Sequence, residues 1–195
     1  MEGFKKVFPA TGIYEVLVGT SGKSPNISPL GLRYMDEFKF KVYRGSISLE
    51  NLLQYPYCSI MITDRPELFY LGLRGLLHQD KLFYGLPIII SSEKIYCTII
   101  ARCELVSLGD PYEFRVRFLE DSGPCDRSPI SRGTGLFIDM LVHTTRLDIV
   151  SGNERSRLLY IINYEIDVIR KTYPSLSQYL DEIVRQLELK GYKLD

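Results

Sequence analysis

The spacing at which apolar residues recur changes once along this 195-residue chain, and that change sets the class of fold. Up to about residue 120 they alternate singly. Phe38, Phe40 and Val42 share one face while Lys39, Lys41 and Tyr43 share the other, and Phe114, Val116 and Phe118 alternate with Arg115 and Arg117, the two-residue period of a strand with one buried face. From residue 131 the spacing lengthens to three and four. Leu158, Leu159, Ile162, Ile166 and Ile169 stripe one segment, and Leu176, Leu180, Ile183, Val184 and Leu187 stripe the next, as amphipathic helices require. Strands in front and helices behind predict an α+β fold, an antiparallel β-barrel with packed helices. The length suits a single domain over 1–195, with barrel and inserted helices to about 130 and C-terminal helices over 131–195.

The strands expected are 13–18, 26–34, 38–43, 57–63, 86–91, 94–107 and 112–119, with turns at 19–25, Asp36-Glu37, Ser92-Glu93 and Gly109-Asp110-Pro111. Pro25 and Pro29 lack N–H donors, so the second strand should lie at an edge or bulge there. Ser48 is expected to cap a short helix over 49–54 that stops at Pro56. Asp64 is expected to cap one from Pro66, with Leu68, Phe69, Leu71, Leu73, Leu76 and Leu77 on its apolar face. Further helices should run from Ser131 or Thr134 to about Leu147, over 153–173, and from Ser175, with Gln178 in the capping-box position and Gly191 as terminator.

Charge and cysteine usage exclude some classes. Lys plus Arg and Asp plus Glu both number 24, and a zero balance argues against a general nucleic-acid binder. No apolar run is long enough to span a membrane, and MEGFKKVFPATG lacks the apolar core of a signal peptide, so a cytoplasmic protein is expected. The four cysteines, Cys58, Cys97, Cys103 and Cys125, form no CxxC pair, and the two histidines, His78 and His143, are far apart in sequence, which gives no support to a zinc site. Cys58 and Cys97 sit in apolar runs and read as small buried hydrophobes. Cys125 reads as a residue of a polar loop and the one thiol open to solvent.

Three stretches hold polar groups in patterns that suit a ligand. RGSISLEN (44–51) places Arg44, Ser46, Ser48 and Asn51 around a helix start, where free N–H groups and the helix dipole favour an anion such as a phosphate monoester. Its ordinary reading is a capped helix with Glu50 complementing the dipole. SPNISPLG (24–31) interrupts a strand with two prolines, leaving edge groups that a flat heterocycle could satisfy; its ordinary reading is a bulged edge strand. In the helix after Ser131, Arg132, Gly135, Asp139, His143 and Arg146 form one polar stripe, with Asp139 and His143 spaced to pair. That stripe is either a solvated face or a cationic wall, and His143 is alternatively a satisfied core histidine. There is no GxSxG, P-loop, GxGxxG after a strand, or HExxH. A cofactor enzyme is compatible with that absence, because there the protein binds and orients while the cofactor reacts.

The runs YEVLVGTSGKSPNISPLGL, FKVYRGSISLENLLQYPYCSIMITD and FIDMLVHTTRLDI together resemble a mainly archaeal, uncharacterised family of the FMN-binding split-barrel superfamily, related to flavin reductases. Thr20, Asn26, Pro29, Gly31, Gly45, Ser46, Asn51, Leu52, Thr145, Arg146 and Leu147 match its pattern. Ser28, Leu30 and Ser48 stand where the family has alanine, methionine and threonine, and Met61 where it usually has asparagine. The resemblance implies a split β-barrel with FMN at a homodimer interface. Ser46, Ser48 and Asn51 would hold the phosphate with help from Arg44. Asn26, Ser28, Leu30 and Gly31 would border the isoalloxazine, and His143 and Arg146 would lie near the ligand. It implies an FMN-dependent oxidoreductase passing hydride from NAD(P)H to an acceptor. The rival readings are a non-catalytic flavin-binding or storage protein and a structural or partner-binding barrel.

Overall fold

A computed structural model of the chain describes residues 4–91 and 94–194; the turn expected at Ser92-Glu93 lies outside them. The chain packs as two units, one formed by the residues up to Pro9 and Tyr14–Ile130, the other by Ala10–Ile13 and the residues from Ser131 onward.

In the first unit, α1 (Phe4–Val7) precedes β1 (Gly12–Thr20), β2 (Asn26–Tyr34) and β3 (Phe38–Val42). Next come α2 (Ile47–Gln54), β4 (Tyr57–Ile62), α3 (Pro66–Leu73), β5 (Lys81–Phe83) and β6 (Leu86–Ile88). The long strands β7 (Cys97–Ser107) and β8 (Tyr112–Ser122) follow, then the two-residue β9 (Ile130–Ser131). Six strands pair in the order β2-β3-β8-β7-β4-β1, and a β1–β2 pairing closes the ring. Closure removes the sheet edge, so Pro29 within β2 and Pro25 just before it do not mark an open one. Pro29 instead packs on α3, where a Cβ on Gly72 would come 2.8 Å from its Cδ.

The alternation read in the sequence becomes two cores. Inside the barrel, Tyr14, Val16 and Val18 meet Phe40, Ile60, Ile99 and Phe114. On the outside of β1 and β4, Leu17 and Met61 pack with Ile27, Leu68, Ile88, Ile89 and Ile95 beneath α3 and the β5–β6 hairpin. Met61 is fully buried there, its sulfur 3.4 Å from the Ile89 N–H. The α3 helix is shorter than its apolar pattern predicts: it ends at Leu73, which is 75% exposed, and Leu76 beyond it is 54% exposed. Arg65 occupies the N-cap without a side-chain cap bond, and Asp64 accepts a hydrogen bond from the Tyr96 hydroxyl instead.

Cysteine pairing departs from expectation. Cys97 is not a free buried thiol, nor is Cys125 an open one: they form a disulfide with Cα atoms 4.8 Å apart. Strand register explains this. Thr98 pairs with Ser122, so the chain leaving β8 passes beside the start of β7. Cys58 and Cys103 are free, buried, and 3.4 Å apart; the hydrogen bond to Cys103, then burial, pushes the Cys58 thiol up.

In the second unit α4 (Arg132–Arg146), α5 (Gly152–Thr172), a 3₁₀ turn (Pro174–Leu176) and α6 (Ser177–Leu189) enclose a core of Met140, Leu147, Ile162, Ile166, Ile169, Leu180 and Leu187. Because Pro174 opens a 3₁₀ turn, Ser175 caps nothing and α6 begins two residues later than expected. Among the described residues no helix is long and apolar enough to cross a membrane.

The polar face of β3, β8 and β7 carries an ion network. Glu37 binds Arg115 and, at 2.9 Å, Lys39, while Arg117 lies 3.3 Å from Glu104. Hydrogen bonds from Arg115 and then Lys39 lower the Glu37 carboxyl from 4.5 to about 2. A depressed carboxyl stabilises the fold above its unfolded value, and that contribution disappears as the folded group is protonated. Glu37→Gln should therefore lower the melting temperature relative to the parent at pH 7, and the difference should shrink between pH 4.5 and about 2. Melting curves of the two proteins across that range measure it; a constant difference would rule out the linkage.

Candidate functional site

The site is built where β3 gives way to α2. Ser46, in an extended conformation with φ −82° and ψ 143°, is the N-cap. Its hydroxyl donates to the Tyr43 carbonyl at 2.8 Å and accepts from the Leu49 N–H at 3.3 Å. The cap expected at Ser48 thus falls two residues earlier, and Ser48 becomes a buried residue of the first helical turn. From there its hydroxyl faces β2, 2.7 Å from the Ser28 hydroxyl and accepting from Asn26 Nδ2 at 3.2 Å. Asn26, Ser28 and Ser48, far apart in sequence, form one polar cluster between strand and helix.

Asn51 lies one turn on and is fully buried. Its Nδ2 donates to Thr20 Oγ1 at 3.0 Å and to the Ser24 carbonyl at 2.7 Å. Its Oδ1 accepts from the Lys23 and Ser24 N–H groups at 2.9 and 3.2 Å. Two donors and two acceptors are the whole capacity of a carboxamide, so Asn51 clamps the β1–β2 turn onto α2. Gly22 lets the turn come this close, since a Cβ there would stand 2.8 Å from the Asn51 carbonyl oxygen. An exposed ion pair, Lys23 Nζ to Glu50 Oε2 at 2.7 Å, borders the clamp.

The helix start retains donors. The Ser46 carbonyl takes the N–H groups of Leu49 and Glu50, while those of Ile47 and Ser48 have no backbone partner among the described residues. These donors stand at the positive end of the helix dipole. Arg44 precedes them with an exposed side chain, its backbone N–H donating to Asp110 Oδ1 at 3.1 Å. An oxyanion is the ligand such an arrangement stabilises.

Asn26 also lines a cavity of about 310 Å³ with Pro25, Ile27, Leu77, His78 and Gln79, within the size range of small-molecule sites. His78 and Gln79 were not anticipated as lining residues; they follow α3 in sequence, and only the packing of α3 on β2 brings them to Asn26. Leu30 is half-buried and packs against the barrel core, and Gly31 beside it is also half-buried. His143 and Arg146 belong to α4 of the second unit. His143 does not pair with Asp139: its Nδ1 lies 3.0 Å from Glu165 Oε2, a side chain only 5% exposed. Arg146 is exposed. Among the described residues no group of three or more His, Cys, Asp or Glu side chains could hold a metal ion.

Two family models match the chain. One is described as the N-terminal domain of a protein of unknown function (DUF447), over residues 14–121, and the other as a protein of unknown function (DUF447), over residues 131–186. No curated protein matches it in sequence. Among solved structures, an FMN-bound protein of Methanosarcina mazei assigned to the same family model is similar over 90% of this chain and 95% of that one, with 16% identity and a TM-score of 0.53. An FMN-binding protein of Thermus thermophilus with bound p-hydroxybenzaldehyde covers 57% of this chain and 71% of its own, at 20% identity and a TM-score of 0.44. A flavoredoxin of Methanosarcina acetivorans covers 62% and 75%, at 14% and 0.45. The antiparallel barrel with helices is the fold this chain shares with the Methanosarcina mazei protein.

Removal of the clamp tests how far the site depends on it. Asn51→Ala strips four hydrogen bonds from a buried position and should cost about 2–4 kcal/mol in urea unfolding. Lys23→Ala, which removes only an exposed ion pair, should cost about 0–1 kcal/mol. Equal losses would mean that the turn is not held by the carboxamide.

Proposed function

Because the chain belongs to the DUF447 family, we propose that it is an FMN-binding flavoprotein acting as a flavin-reductase-like oxidoreductase. The observation that carries this reading is the start of α2. There the N–H groups of Ile47 and Ser48 lack a backbone partner among the described residues, Arg44 is exposed beside them, and Asn26 links the adjoining polar cluster to a cavity. The donor set fits a phosphate monoester and the cavity fits a ring system with polar edges.

On this reading the Ile47 and Ser48 N–H groups, the Ser48 hydroxyl and Arg44 bind the phosphate, while Ser46, whose hydroxyl proton is held by the Tyr43 carbonyl, fixes the helix start. Asn26, with Pro25 and Ile27, borders the ring; Leu30 and Gly31, which the resemblance places there, are not among the lining residues of that cavity. Ser28 orients the Ser48 hydroxyl. Asn51 acts one step removed, holding the Thr20–Ser24 turn rather than donating to the ligand, because its own amide is fully engaged. Bound FMN supplies reversible two-electron redox chemistry. The residues named here bind and orient, and none is required as nucleophile or base. The reductant in this reading is NADH or NADPH, and the assembly is a homodimer, as the resemblance implies.

The test is an absorbance spectrum of the purified protein, with and without added FMN, before and after NADH or NADPH. A yellow protein that bleaches is expected. A colourless protein that binds no added FMN defeats the proposal, and a yellow one that never bleaches makes it a non-catalytic flavin-binding protein. Arg44→Ala should weaken FMN binding about tenfold, the size of one lost charge-assisted hydrogen bond, with an unchanged melting temperature for the apoprotein. Light scattering should give twice the chain mass.

A further inference from the structure

The four cysteines fall into two kinds that the structure treats differently. Cys58 and Cys103 lie sealed in the barrel core as free thiols. Cys97, 1% exposed at the first position of β7, is bonded to Cys125 in the segment between β8 and β9. Cys125 is half-buried, and its φ of +43° lies in the left-handed region. Residues other than glycine seldom occupy that region unless their surroundings impose it.

Backbone hydrogen bonds do not fasten this segment. Among the described residues, 123–129 takes part in none of the backbone–backbone bonds that secure turns and loops elsewhere. Gly123, at φ +100°, backs onto the Tyr96 carbonyl, which a Cβ there would approach to 2.9 Å. The Arg127 guanidinium lies 4.2 Å over the Tyr96 ring. Beneath the segment is a cavity of about 350 Å³ lined by Ile88, Ile89, Ile95 and Thr98, with Gly123 and Arg127 among its wall residues. The disulfide is thus the one covalent tie on a cavity wall otherwise held by the stacked, exposed Arg127, one close backbone approach, the packing of Cys125 on the barrel core and the burial of Pro129 at its far end.

We propose that Cys97–Cys125 is a reversible redox clasp on this cavity. Oxidised, it holds the 123–129 segment and Arg127 as the wall; reduced by a low-molecular-weight thiol, it releases the segment and the cavity opens. The exchange balances. The first thiolate attacks Sγ of Cys125, the less buried residue of the pair, and the Cys97 sulfur leaves as a thiolate. A second thiolate then attacks the reductant's sulfur in the mixed disulfide and frees Cys125. Two RSH become RSSR, the protein gains two thiols, and the two protons pass from reductant to protein. Cys58 and Cys103 stay out of the exchange because no external thiolate reaches them in the barrel core. Neither state of the clasp requires bound FMN.

The test uses the full chain purified without reductant. Denatured in excess N-ethylmaleimide, it should carry two adducts, and after native treatment with dithiothreitol four. Four adducts before reduction, or two after it, overturn the proposal. Limited trypsin digestion reads the consequence: cleavage after Arg127 should become at least tenfold faster on reduction, and in Cys125→Ser should be fast without it. Oxidised glutathione should restore slow cleavage and the two-adduct count in the parent. Cleavage after Arg127 that ignores dithiothreitol, or a fast state that oxidation does not reverse, overturns it. If Cys125→Ser fails to fold, the reduced and oxidised parent protein still decides.

Discussion

The carboxamide of Asn51 is the contact on which the candidate site depends. A buried amide leaves four polar valences to be met, and missing any of them is costly because water cannot substitute. Here all four are met by one turn, through Thr20, Lys23 and Ser24. That turn joins β1 to β2, so the clamp also fixes where β2 begins. Asn26 and Ser28 reach Ser48 because the strand leaves the clamp along α2. The open donors at Ile47 and Ser48 then stand next to groups from a different part of the chain. A site of this kind is assembled by one saturated side chain holding the frame while its neighbours keep their donors free.

Barrel closure is the second constraint, and it redistributes roles that the sequence pattern leaves ambiguous. In a closed ring every strand has an inner and an outer face. On β1 and β4 the outer face is covered as well, by α3 and the β5–β6 hairpin. Met61 illustrates the consequence. It stands where the family pattern usually has asparagine. In the structure it faces the outer core, fully buried, and takes the Ile89 N–H on its sulfur. The same covering layer brings His78 and Gln79 to Asn26.

Periodicity determined a good deal. The alternation over Phe38–Val42 and around Phe114–Phe118 placed those strands and their buried faces, and the stripes of α5 and α6 are the residues that fill the helical core. These features are legible because they are local: the period of apolar residues states which face meets water and which does not. The polar stretches were legible in the same sense, since serine and asparagine beside a helix start mark a place where backbone N–H groups are open.

Tertiary structure alone decided which partner each polar or sulfur group takes. Ser48 reads as the cap in the sequence, and Ser46 takes that place because β3 ends at Val42 and Ser48 is drawn to Ser28. His143 pairs with Glu165, 22 residues away, rather than with Asp139 one turn earlier. Cys97 meets Cys125 because the β7–β8 register puts Thr98 opposite Ser122. The apolar run after Pro66 continues past the end of α3, leaving Leu73 and Leu76 exposed. Hydrophobic burial is summed over a segment and survives as a periodic signal, whereas hydrogen bonds and disulfides are short-ranged and pairwise. They depend on strand register and on elements distant in the chain, which no local pattern encodes.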